Sequence, residues 1–189
     1  MQDDPYADPV TGLLRNKLGL DDKEELAAAE RAITYAALIL LRDSPVRPSY
    51  DLVHLCGIHA RIFGDIYDWA GKIRTVAIAK GSPFCLPQHI ESAAADLFRG
   101  LRGENLLRGL DRDAFIDRLT HYFGEVNAIH PFREGNGRMQ RAFFEQLAGE
   151  AGFALHWQHL DADRNIKASA AIMHDDPAPM RKLFNDLVR

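Results

Sequence analysis

Cysteine is nearly missing from this chain of 189 residues, with Cys56 and Cys85 the only two. A pair so spaced matches neither a disulfide framework nor a zinc site. Long apolar runs are missing too. The longest mostly apolar stretch, Ala32 to Leu41, is ten residues, about half of what a bilayer span needs, so no membrane partner is expected. There is no basic excess: 23 Lys+Arg stand against 27 Asp+Glu, a formal net charge of −4. Nonspecific duplex binding relies on phosphate neutralisation by Lys and Arg, so direct nucleic-acid binding is not expected either. The start, Met-Gln-Asp-Asp-Pro, lacks the basic and apolar parts of a secretory signal. No repeat, low-complexity stretch or long linker divides the chain. What remains, 47% hydrophobic and 26% charged, is the composition of one globular domain, expected in the cytoplasm.

Residues 1–20, punctuated by Pro5, Pro9, Gly12 and Gly19, read as an irregular N-terminal extension. Residues 21–189 read as a single, mainly helical domain. Asp21 or Asp22 can cap a first helix with Glu24 and Glu25 in its first turn, and Leu26, Ala29, Ile33, Ala36 and Leu40 trace one face. Further helices fit about 49–63, 88–101, 112–128, 161–173 and 177–188. Another starts near Gly135 or Asn136 and buries Met139, Phe143, Phe144 and Leu147. One β signal interrupts them: Val76 and Ile78 alternate with small residues before Lys80-Gly81-Ser82-Pro83. It reads as a hairpin over about 73–84.

The chemistry concentrates in His130-Pro131-Phe132-Arg133-Glu134-Gly135-Asn136-Gly137-Arg138-Met139-Gln140-Arg141. A histidine and a carboxylate precede a glycine-broken turn that opens a helix. Gly135 and Gly137 permit positive φ and close backbone approach. Successive amides at a helix N-terminus form an anion nest, reinforced by the helix dipole. Arg138 and Arg141, three apart, can lie on one side of that helix. Glu134 offers a hard oxygen where Mg²⁺ would bridge phosphates. Together these parts describe a polyphosphate site with a base beside it.

That segment resembles the signature of the Fic-domain family, His-x-Phe-x-(Asp/Glu)-Gly-Asn-Gly-Arg-x-x-Arg, at every fixed position. His59, Phe63, Ile66, Tyr67, Trp69-Ala70-Gly71, Arg74-Thr75 and Lys80-Gly81 resemble the helix, entry and tip of the family's flap. Asp4-Pro5-Tyr6 and Leu14-Arg15-Asn16-Lys17-Leu18-Gly19 resemble the N-termini of compact bacterial Fic toxins. The resemblance implies an all-α, Fic-type helical bundle with a short β-hairpin flap and a catalytic loop over 130–138. It also implies a protein adenylyltransferase: His130 takes a proton from a target hydroxyl, which attacks the α-phosphate of ATP. Phe132 would anchor the loop. Glu134 would hold Mg²⁺, Gly135, Asn136 and Gly137 would line the anion hole, Arg138 would meet the β/γ-phosphates, and Arg141 would orient the γ-phosphate. Val76, Ala77, Ile78, Ala79, Lys80 and Gly81 would dock the target by strand addition.

Many Fic proteins carry an inhibitory (Ser/Thr)-x-x-x-Glu-(Gly/Asn) motif. This sequence has none; its nearest approach is Ser92-Ala-Ala-Ala-Asp96-Leu97. The resemblance therefore implies the subclass inhibited by a separate small antitoxin, whose glutamate would arrive near Arg141. It further implies a toxin whose family-expected target is the ATP-binding subunit of DNA gyrase or topoisomerase IV. Two other functions compete. A Fic-fold transferase could move phosphate, UMP or phosphocholine; Doc-type phosphorylating relatives replace the second glycine with lysine, and Gly137 argues against that branch. A catalytically silent binding module would be favoured by an altered His130, Glu134 or Arg138, and all three are intact.

The remaining candidates read as structural. His156 and His159 lack a third ligand at a sensible spacing. His54 and His59 are read as surface or packing residues, and His121 as a buried or half-buried core neighbour. Phe63, Tyr67 and Trp69 are read as core under the flap, Asp175-Asp176 as a helix cap, and Cys85 as unreactive.

Overall fold

A computed structural model describes residues 4–189. Among them, seven helices surround one core: α1 (Lys23–Asp43), α2 (Leu52–Phe63), α3 (Ile90–Gly103), α4 (Arg112–Ile129), α5 (Asn136–Ala151), α6 (Ala162–Ile172) and α7 (Ala178–Leu187). Residues 4–20 hold turns and one isolated bridge, Ala7 with Leu14; residues 1–3 of the expected irregular extension lie outside the described residues. No described helix is long and apolar enough to cross a membrane.

Local chemistry sets the helix ends. Asp22, Asp51, Asp111 and Asp161 each accept from backbone N–H groups at the starts of α1, α2, α4 and α6, which satisfies donors the first turn leaves unpaired. Asp176 accepts from Ala178 N–H at 3.2 Å, beside the start of α7. Helix α4 runs through the middle and packs on α3, α5, α6 and α7. Its buried set, including Phe115, Leu119, Phe123, Val126 and Ile129, nearly encircles it, as a central helix requires. Met139, Phe143, Phe144 and Leu147 of α5 are fully buried, as expected.

The sequence pattern misplaces the buried face of α1. Leu40 is 56% exposed and Ala36 is exposed, whereas Thr34 and Leu41 are buried. The inward face carries polar Glu30 and Thr34 because both bind Arg138 of α5, and a hydrophobicity pattern cannot register that. The expected hairpin over 73–84 contracts to a two-residue antiparallel ladder, β1 (Ala79–Lys80) with β2 (Ser82–Pro83), turning at Gly81. Residues 76–78 are irregular. The Arg74 side chain takes the carbonyl of Val76, which the next rung of a longer ladder would have used, and Cys85 N–H turns away to donate to Ala128 O. His121 is exposed, so it is not a core neighbour.

Candidate active site

The loop between α4 and α5 gathers the sequence-predicted residues. Helix α4 ends at His130, whose backbone is left-handed with φ 45° and ψ 64°. That conformation commonly closes a helix but usually belongs to glycine. Here a histidine bears the strain, the kind of local cost found at functional positions. Its Nδ1 lies 3.2 Å from the Asn127 carbonyl oxygen. A carbonyl can only accept, so Nδ1 carries the proton and the Nε2 lone pair is left available. Phe84, just beyond the ladder, stacks on the imidazole with centroids 3.8 Å apart and 13° between planes. Desolvation pushes the His130 pKa down to about 4, with Arg74 and Lys80 acting in the same sense. The imidazole is therefore neutral, and able to act as a base, across the physiological range.

Phe132 is fully buried and stacks on His59 with centroids 4.0 Å apart. Asn136 staples the loop: its Oδ1 accepts from Phe132 N–H at 3.0 Å and its Nδ2 donates to Phe132 O at 2.8 Å. Its side chain is thus spent on the loop, which leaves only its backbone for the expected anion hole. Of the two glycines read as permitting positive φ, Gly135 uses that freedom, at 82°. Gly137 lies within α5 in helical conformation, and a Cβ there would stand 3.5 Å from an Arg141 nitrogen. Glu134 has a half-exposed carboxylate that accepts from Gly135 N–H at 2.8 Å.

Two buried residues hold this loop in a role that sequence patterning does not reveal. His59 Nδ1 accepts from Gly71 N–H at 2.9 Å, so Nε2 must donate to Glu134 O, also at 2.9 Å. His59 is therefore more than the surface or packing residue expected. Arg74, 1% exposed, donates Nε to His130 O at 2.8 Å, Nη1 to Val76 O at 2.7 Å, and Nη2 to the Cys85 and Ile129 carbonyls. No carboxylate among the described residues pairs with it. The carbonyls at the negative end of the α4 dipole compensate its charge. Both residues bond to backbone atoms of distant segments, which leave no pattern in sequence. Their only signal is the family resemblance.

Burial pushes the His59 pKa down to about 4 against an ordinary 6.5. The unfolded chain therefore binds more protons between these values, and stability falls as pH drops through that window. The expected loss from His59 is about 3 kcal/mol by pH 4. Thermal unfolding from pH 7 to pH 4 should show it, and a midpoint that does not fall below pH 6.5 would contradict it.

The loop opens on a cavity of about 360 Å³. His130, Glu134, Gly135, Gly137, Arg138 and Arg141 all line it, so the motif residues converge on one space, with Lys80 and Phe84 at one wall and α6 at another. On the α6 wall, Asn165 Oδ1 is buried with no partner among the described residues. Arg138 is held by α1, whereas Arg141 forms no ion pair among the described residues. Desolvation and Arg138 lower the Arg141 pKa. No cluster of three or more metal-ligating side chains occurs among the described residues. A site with one carboxylate fits a Mg²⁺ that arrives with phosphates and keeps water or phosphate oxygens as its other ligands.

The model of the Fic/DOC family matches residues 49–148. The chain is 44% identical over 167 residues to the protein adenylyltransferase VbhT of Bartonella schoenbuchensis, covering 88% of this chain and 35% of VbhT. It thus spans about a third of that relative's length. It is 38% identical over 186 residues to the probable protein adenylyltransferase Fic of Salmonella typhimurium, covering 98% of this chain and 92% of the relative. Among solved structures, BepC of Bartonella tribocorum with bound AMPPNP superimposes with a TM-score of 0.89 at 26% identity, covering 97% of this chain and 96% of that one.

Proposed function

The chain belongs to the Fic/DOC family, as an enzyme of the protein adenylyltransferase class, and from that premise we propose that it transfers AMP from ATP to a hydroxyl side chain of a target protein. One observation carries the reading: a neutral histidine with a free Nε2 lone pair shares a cavity with a glycine-opened helix N-terminus and two arginines. His130 Nε2 takes the proton of the target hydroxyl. The oxygen forms a bond to the α-phosphorus, the bond to the β-phosphate oxygen breaks, and pyrophosphate leaves. The amides of residues 135–137 and the Arg138 and Arg141 guanidiniums receive the charge of the outer phosphates. Glu134 would hold Mg²⁺ against the phosphates, and the ion would supply further charge neutralisation. Asn165 Oδ1, buried on the α6 wall without a partner among the described residues, is an acceptor suited to an amino group such as that of adenine.

Exposed Ala79 and Lys80 offer the ladder edge to an extended target segment, with Val76 to Gly81 as the docking stretch. Main-chain bonds of that kind select conformation more than sequence. We take the family-expected target, the ATP-binding subunit of DNA gyrase or topoisomerase IV, as the first to test, with the protein acting in the cytoplasm as a toxin. A small antitoxin would supply a glutamate to Arg141. That guanidinium also borders a groove of about 490 Å³ between α1 and α5, with Tyr35, Leu38, Ile39 and Trp157 on its walls.

The test uses ATP labelled at the α- or the γ-phosphate, with Mg²⁺ and a bacterial lysate. Label entering a protein from α-labelled ATP alone is the expected result. Label from the γ-position alone would overturn AMP transfer in favour of phosphorylation.

A further inference from the structure

Helix α1 lies outside the residues matched by the family model, yet two of its side chains grip a cavity-lining arginine. Glu30 Oε1 accepts from Arg138 Nη2 at 2.6 Å, and Thr34 Oγ1, one turn later, accepts from Arg138 Nη1 at 3.2 Å. Thr34 in turn donates to the Glu30 carbonyl at 2.7 Å, which fixes its lone pairs toward the arginine. The second Glu30 oxygen accepts from the Tyr67 hydroxyl. Burial and Glu30 raise the Tyr67 pKa, so the phenol stays a donor. Phe63 closes the arrangement, with the Arg138 guanidinium carbon 4.7 Å from its ring centroid. The carboxylate and the guanidinium are mostly shielded, at 15% and 22% side-chain exposure. An ion pair of that kind is geometrically exacting.

Resting on the nucleotide-transfer reading above, we propose that Glu30 is the positioning residue for Arg138, with Thr34 as its second anchor and Tyr67 as the group that orients the carboxylate. Helix α1 thereby becomes part of the active site. Both Nη groups are engaged before any ligand arrives, so the guanidinium meets the outer phosphates in one orientation and need not search for it. The carboxylate also offsets the Arg138 charge. Arg141, which has no such partner among the described residues, is left as the stronger attraction for an incoming anion.

This arrangement predicts a split between rate and affinity. In Glu30→Gln the guanidinium loses its orienting charge but gains attraction for phosphate. The kcat for AMP transfer should fall about tenfold, while the affinity for AMPPNP is no weaker than that of the wild type. Binding of AMP, which lacks the outer phosphates, should not change. In an Arg138→Ala background, Glu30→Gln should cost nothing further, because Glu30 acts through Arg138. An unchanged kcat, or the same loss persisting without Arg138, would overturn the proposal. So would AMP and AMPPNP affinities falling together, the mark of a merely structural role.

A nitrogen-15 spectrum of the arginine side chains tests the same claim without turnover. The restrained Arg138 Nη signals should be present in the wild type and lost in Glu30→Gln, and their persistence would overturn the proposal. A wild type that holds Arg138 in this way but binds no AMPPNP would instead count against the nucleotide-transfer reading.

Discussion

His130→Ala is expected to abolish AMP transfer while leaving the protein folded and able to bind ATP. Removing a positioned general base costs on the order of 10²–10⁴ in rate, about 3–5 kcal/mol in the barrier. Little should be lost in the ground state. The imidazole is neutral, its one polar bond within the protein is to the Asn127 carbonyl, and its stacking on Phe84 involves the end of a short ladder. The backbone geometry that places it is enforced from outside the side chain, by Arg74 on the His130 carbonyl and by His130 N–H donating to Val126 O. Initial rates of AMP incorporation, paired with AMPPNP titration and thermal unfolding, check this. A variant within tenfold of the wild-type rate would remove His130 from the base role.

The second large effect is on the fold of the loop. Gly135 sits at φ 82°, and a Cβ built there would overlap the Phe63 ring and stand 3.1 Å from His59 Nε2. Both neighbours are fully buried, and His59 is tied on its other side to Gly71. Neither can move aside cheaply. Gly135→Ala therefore combines left-handed strain with overpacking, an expected cost of about 3–5 kcal/mol. In a chain of this size that lowers the melting temperature by roughly 10 °C. Gly137→Ala is the control. Its backbone is helical and the nearest contact is an ordinary one, so stability should change little. Unfolding by heat and by denaturant distinguishes them, and equal stabilities for the two variants would contradict this account of Gly135.

The motif residues were legible because their chemistry is local: a histidine, a carboxylate and two glycines within eight positions already mark a candidate base beside a glycine-opened helix N-terminus. The helices were legible for a similar reason, since a cap such as Asp22 and stripes such as Met139, Phe143 and Leu147 need only their neighbours in sequence. The face of α1 was not, because Glu30 and Thr34 turn inward to bind an arginine more than a hundred residues away. The hairpin was overextended because alternation in Val76 and Ile78 cannot reveal that Arg74 takes the carbonyls around it. The place of Asn136 in the motif points to a ligand, yet its amide group serves the loop itself. Polar residues whose partners are distant backbone atoms, His59 and Arg74 above all, have a role that only the folded chain displays.

The most direct test of the central claim is the structure of the protein with AMPPNP and Mg²⁺ bound. The α-phosphorus should face His130 Nε2, with the outer phosphates over the amides of residues 135–137 between Arg138 and Arg141. A nucleotide bound in the reverse sense, with its γ-phosphate at His130, would contradict AMP transfer and make the protein a kinase of its target.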